Sequence, residues 1–207
     1  MDSLINAFNN KCVLNDIIGD SIDYKINWNH NTKGRGAGGE NTNKTGLVYE
    51  DITDLETHYK IINQQQKPKV QLIKFKNSSK LFFKVVKNNL FTFLKDEMDS
   101  DIEHAHGCKQ PDECYIDDVN NIIFIIEKKF QQVSGSVCEK IQTPDFKIWQ
   151  YRRIFPEYEI VYIFCLSSWF KTNCKTELKY LEYKKIPFFF GDTEEYKEKI
   201  SSFIKNF

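Results

Sequence analysis

Asp112, Glu127 and Lys129 are the residues whose types and spacing suggest chemistry. Asp112 lies in Gln110-Pro111-Asp112-Glu113-Cys114-Tyr115-Ile116-Asp117, and Glu127 and Lys129 close the run Ile122-Ile123-Phe124-Ile125-Ile126-Glu127-Lys128-Lys129-Phe130. Between them, Asp118-Val119-Asn120-Asn121 is a turn-forming stretch. A four-residue loop there pairs Asp117 with Ile122. Counting outward then sets Asp112 opposite Glu127, with Cβ atoms about 4.5–5.5 Å apart. Lys129 projects from the same face as Glu127 because side chains alternate along a strand. Two carboxylates that close repel, so either one keeps its proton or a divalent cation sits between them. Oxygen donors suit Mg²⁺, which activates a water and offsets charge on a phosphoryl oxygen. The amine can orient that water or stabilise developing charge. The competing reading is a surface hairpin with an ordinary cross-strand salt bridge. Against it, the strand before Glu127 is apolar on both faces, as a buried central strand is. Charges at the end of such a strand are costly without a partner or a task.

The elements that must position these groups follow from periodicity. Residues 3–22 have the spacing of an amphipathic helix, and residues 27–44, rich in Gly and Asn, read as a loop. Its glycines are not followed by the Lys-Ser/Thr of a phosphate-binding loop. Thr45 can cap a helix from Gly46 to about Gln66, with Leu47, Ile52, Leu55, Tyr59 and Ile62 toward the core. Glu50 and Asp54 lie one turn apart on it. Residues 70–76 and 80–87 read as strands joined by a turn at 77–79, and residues 88–98 as a helix. After Ser136 a helical stretch runs to about Phe155, which Pro144 kinks or breaks. Residues 159–166 are an apolar strand, 176–185 a helix, 186–190 a short strand and 193–205 a terminal helix. This alternation implies parallel strands with covering helices. The expected fold is α/β, a mixed central β-sheet flanked by helices.

The chain has 207 residues, enough for one well-formed core. It is expected to be a single domain, with residues 1–44 a helix and loop and residues 45–207 the core. There is no apolar run long enough for a membrane span and no signal-peptide pattern at the start, so a soluble, cytoplasmic protein is expected. Cys12, Cys108, Cys114, Cys138, Cys165 and Cys174 show no CxxC pair or zinc-finger spacing, and buried reduced thiols are expected. Net charge is zero, but its distribution is uneven. Residues 57–95 contain lysines and no acid, whereas residues 96–118 carry Asp96, Glu97, Asp99, Asp101, Glu103, Asp112, Glu113, Asp117 and Asp118. A lysine-rich surface beside an acidic pocket fits a polyanion cut at that pocket; a solvated face is the plainer alternative.

A helix with an acid, then Pro-Asp, then Glu-x-Lys on the next strand, then helix, strand, helix and strand, is an order that resembles the PD-(D/E)xK nuclease superfamily. Within it, the chain resembles the type II restriction endonucleases. Gly135-Ser136-Val137-Cys138-Glu139-Lys140-Ile141-Gln142 looks like a Gly-Ser/Thr-Val-x-Glu-Lys-Leu/Ile-Gln run that many of those enzymes carry after the same strand. The resemblance covers roughly residues 45–190 as an ordered pattern, and about 110–145 by motif.

The resemblance implies a restriction-endonuclease-like fold and Mg²⁺-dependent hydrolysis of phosphodiester bonds at a specific short double-stranded DNA sequence. It implies a homodimer and, as a functional partner, a DNA methyltransferase that protects host DNA. Asp112 and Glu127 would be the metal-binding carboxylates and Lys129 the catalytic lysine. Glu50 would support the metal or its waters, with Asp54 the rival for that role. Gln131 and Gln142 would be secondary active-site or phosphate contacts. For base readout the best candidate is the loop of residues 27–44, with Lys33, Arg35, Asn41 and Asn43; a loop without a role is the alternative. Lys67, Lys69, Lys74 and Lys76 could contact phosphates. Two other readings stay open. One is a repair or recombination nuclease of the same superfamily. The other is a zinc-stabilised, DNA-binding module built on His104, His106 and Cys108, for which a fourth ligand at suitable spacing is absent.

Overall fold

The computed structural model describes residues 40–98, 110–133 and 137–207, with the side chains of 40–44 and 96–98 left aside. Its centre is a seven-stranded sheet in sequence order. The strands are β1 (Tyr59–Gln66), β2 (Lys69–Phe75), β3 (Leu81–Val85), β4 (Glu113–Asp117), β5 (Ile122–Lys129), β6 (Glu159–Leu166) and β7 (Phe188–Phe190). β1 to β5 run antiparallel, and β6 and β7 continue parallel to β5. The expected mixed α/β sheet with flanking helices is therefore present.

Helices cover both faces. On one lie α2 (Asn89–Met98), α3 (Val137–Lys140), α4 (Pro144–Ile154), α5 (Trp169–Asn173) and α6 (Lys175–Tyr183), with Phe93, Tyr151, Phe170 and Leu181 among their buried contacts. On the other lie α1 (Glu40–Ile52) and α7 (Tyr196–Asn206), packed through Tyr49, Tyr196, Ile200 and Ile204. β5 sits between β4 and β6 with Ile122 to Lys128 buried, which is why its sequence is apolar on both sides.

The β4–β5 hairpin has the expected register: Asp117 pairs with Ile122, and the ladder runs to Glu113 opposite Ile126. Asp117 fixes the loop by accepting from the Asn120 amide at 3.1 Å and from its side chain at 2.8 Å. Asn121 takes φ 54°, a left-handed conformation that Asn tolerates.

Three expectations change. The helix expected to reach Gln66 stops at Ile52, and Tyr59–Gln66 is an edge strand. The Thr53 hydroxyl binds the Tyr49 and Glu50 carbonyls at 2.6 and 3.2 Å, at the end of the helix. A ladder with β2 then claims the next residues, and Ile62, expected in the core, is exposed. Leu47 is exposed as well, while Tyr49 is buried instead. The loop of residues 27–44 ends earlier than expected, because α1 already begins at Glu40. Cys138 and Cys174 are joined in a disulfide, with Cα atoms 5.9 Å apart, where α3 meets the α5–α6 junction; Cys114 and Cys165 are the buried free thiols. The helix expected over residues 3–22, Cys12, Lys33, Arg35, His104, His106 and Cys108 lie outside the described residues, as do the side chains of Asn41 and Asn43.

Candidate active site at the end of the central strand

Alternation along β4 and β5 splits the charged motif between two faces of the sheet. Asp112, Glu127 and Lys129 belong to the face covered by α4; Glu113 and Lys128 belong to the face covered by α1.

On the α4 face, Lys129 Nζ lies 2.5 Å from Glu127 Oε1 and 3.2 Å from the Lys128 carbonyl oxygen. A second amine reaches the same carboxylate oxygen, that of Lys147 at 3.0 Å. Lys147 also stands 5.6 Å from the centre of the Tyr162 ring. Burial opposes ionisation of Glu127, but the two lysines outweigh it and hold the carboxyl below its usual range. Asp112 differs. Its Oδ2 accepts the Lys128 N–H at 2.7 Å, yet among the described residues no amine or guanidinium is ion-paired with it. Burial, above all, raises its carboxyl above the usual range. Glu127 and Glu50 add to that, while Lys129 and the Lys128 amide offset part of it. The start of β4 is anchored by the Lys87 N–H, which donates to the Pro111 carbonyl at 3.0 Å. The Lys87 amine lies 3.6 Å from Glu50 Oε2.

On the α1 face, Glu113 is fully buried between Lys128, 2.8 Å from its Oε2, and Lys84, 3.4 Å from its Oε1. The Tyr115 hydroxyl donates to the same carboxylate. Lys84 also reaches Asp54 at 2.6 Å and Tyr59 Oη at 2.8 Å, and Lys128 donates to the Glu50 carbonyl at 3.0 Å. Burial alone would raise the Glu113 carboxyl; Lys128 and Lys84 reverse that and hold it low. A polar cleft lined by Asp54, Tyr59, Lys69, Gln71 and Lys84 opens beside this network.

These contacts place the residues expected from sequence. Asp112, Glu127 and Lys129 come together. Glu50 reaches this end of the sheet on α1, whereas its rival Asp54 is held by Lys84 on the opposite face. Lys67 and Lys69 sit where β1 turns into β2, beyond the pairing of Val70 with Val85 and so at the end of the sheet that carries Asp112. Lys74 and Lys76 are at the far end of β2. The Gln131 amide folds back on the Val133 carbonyl at 2.6 Å, and that of Gln142 donates to Glu177 at 3.1 Å. Lys147 and Tyr162 were not expected. Lys147 did leave a signal: it occupies a position of the buried helical stripe Pro144, Lys147, Tyr151 and Ile154 where an apolar residue belongs.

The oxygen donors at this end that could hold a hard cation are the Asp112 and Glu127 carboxylates, with the Lys128 carbonyl oxygen, which accepts from Lys129, near them. Glu50 does not close into a tight third position. Among the described residues, the three-residue grouping with ligand atoms within 4.8 Å of one another is Cys138, Cys174 and Glu177, whose sulfurs are bonded to each other. Among the same residues no helix is long and apolar enough to cross a membrane. Comparison with family models, with curated proteins and with solved structures finds no match.

Proposed function

We propose that the chain is a Mg²⁺-dependent endodeoxyribonuclease of the PD-(D/E)xK kind that cuts duplex DNA at a specific short sequence. One observation carries the reading. The hairpin register sets Asp112 beside Glu127 and Lys129 on one face, and Asp112 is a half-buried carboxylate without an ion-pair partner among the described residues. The element order, with Glu50 on α1, the Pro-Asp before β4, Glu-x-Lys ending β5, then α4, β6, α6 and β7, agrees with the resemblance.

In this reading Asp112 and Glu127 hold the cation, which when bound supplies Lewis-acid stabilisation at a phosphoryl oxygen and activation of water. Lys129 brings its amine to the same spot, where it orients the attacking water and stabilises charge on the scissile phosphate. Lys147 holds Glu127 from the other side, so the carboxylate is steered by a strand amine and a helix amine together. Glu50 and Lys87, paired at the rim, set the approach to Asp112. The lysines Lys67 and Lys69 at this end suit contacts with phosphates.

The test is digestion of a defined plasmid by the purified chain with Mg²⁺. Discrete fragments are expected, and Asp112→Ala or Glu127→Ala should abolish them while the protein stays folded. Full activity in both variants would end the proposal. Nicking of junctions or mismatches without cutting of intact duplex would assign the same centre to repair instead.

A further inference from the structure

Helix α4 turns two different faces to its surroundings. Inward, Lys147 touches Glu127; outward, Phe146, Trp149, Arg152 and Arg153 are exposed. The outer face is ordered by stacking. Phe146 and Trp149 lie with ring centroids 5.7 Å apart, and the Arg153 guanidinium sits 5.2 Å from the centre of the Trp149 ring. Among the described residues no carboxylate pairs with Arg152 or Arg153. The acid on this helix face, Asp145, is already taken by Lys184 at 2.7 Å and Tyr180 at 3.1 Å.

The residue type matters as much as the place. The chain has three arginines against 26 lysines, and two of the three stand side by side here. A guanidinium offers a rigid planar fork of donors that matches phosphate oxygens in pairs, which an ammonium cannot do. Stacking on Trp149 fixes one fork in advance, so less side-chain freedom is lost when an anion binds. An apolar protein surface would suit Phe146 and Trp149 but would bury two unpaired positive charges. A second copy of this chain would bring four guanidinia together with Asp145 already spent. A polyanion satisfies both features.

We propose that the outer face of α4 grips the phosphodiester backbone of duplex DNA, with Arg152 and Arg153 as the phosphate fork and Trp149 as its platform. This rests on the reading of the substrate as DNA. A helix is about 10 Å across, which sets the separation between the fork on the outside of α4 and Lys147 at Glu127 on the inside. The fork holds the DNA beside the point of cutting and reads no sequence.

The experiment measures binding of a labelled 20-base-pair duplex to the full chain by fluorescence anisotropy, in chelator and at several salt concentrations. Arg152→Lys with Arg153→Lys keeps the charge and removes the fork, and should weaken binding about tenfold. Arg152→Ala with Arg153→Ala should also lower the slope of log affinity against log salt by about two. Trp149→Ala should weaken binding several-fold. Circular dichroism and gel filtration on each variant accompany these measurements. Affinities within twofold of wild type, wild-type protein that fails to bind duplex, or loss of self-association with DNA affinity intact would each overturn the fork. Cleavage by wild type with Mg²⁺ is scored separately. Cutting with normal binding in the variants would sink the fork and leave the active site standing. Binding that depends on the fork, with no cutting by wild type, would do the reverse.

Discussion

At one end of the sheet, consecutive residues of the same two strands build two charge clusters that differ in kind. On the α1 face, Glu113, Lys128, Lys84 and Asp54 are joined into a chain in which every charge has an opposite partner within 3.4 Å. On the α4 face, two amines crowd one oxygen of Glu127, while Asp112 accepts only the Lys128 N–H and has no ion-pair partner among the described residues. The first arrangement is what buried charges need in order to persist. The second leaves the Asp112 carboxylate with a backbone N–H but no ion pair among the described residues, an arrangement that a cation would complete. Perturbed, uncompensated groups mark functional sites more often than closed networks do.

The comparison can be broken most sharply by neutralising one carboxylate on each side. On the proposed function, Asp112→Asn should lower cleavage by about 10³-fold or more, since it removes an oxygen proposed to hold the metal. In Mg²⁺-free buffer at neutral pH the same variant should melt a few degrees higher than wild type, because a half-buried charge with no ion-pair partner among the described residues is gone. Glu113→Gln should do the opposite. It leaves Lys128 buried without its partner and should cost about 3–5 kcal/mol by denaturant unfolding, while whatever protein remains folded still cuts. If both variants lose stability alike, the distinction between the two faces is wrong.

A smaller effect tests how far the closed side positions the open one. At Gly191 a Cβ would fall inside contact distance of Tyr49 Oη, Thr53 Cγ2 and Cys165 Sγ. Gly191→Ala should therefore displace α1 and cost about 1–3 kcal/mol, read as a lower Tm, and should reduce cleavage because Glu50 rides on that helix. Lys147→Met should have the mildest consequence. Cleavage should fall about tenfold while the Mg²⁺ concentration at half-maximal rate also falls, because one fewer amine competes for Glu127 Oε1. A loss of rate with an unchanged Mg²⁺ midpoint would reduce Lys147 to a packing residue.

What the sequence disclosed follows the range of the forces involved. The β4–β5 register was legible because a local turn and an uninterrupted apolar run determine it, and β6, with flanks of Pro156 and Ser167, was legible for the same reason. The end of α1 was not. Leu55, Tyr59 and Ile62 repeat at helical intervals, and only pairing with β2 turns that segment into a strand. Lys147 came to Glu127 through tertiary packing across 20 residues, visible beforehand only as a charge in an apolar stripe. The closed network was hidden in plain view. Glu127-Lys128-Lys129 reads as one motif along the chain, and only the pleat assigns its middle residue to the other side of the sheet. The meeting of Cys138 and Cys174 depends on how α3 and α6 dock, which spacing does not encode.

The loop Asp118–Asn121 acts as a ruler for the two strands it joins. A slip of the pairing by one residue would turn Asp112 away from Glu127 to the other face of the sheet, and the burial of Ile122 to Ile126 together with this turn holds the register against it.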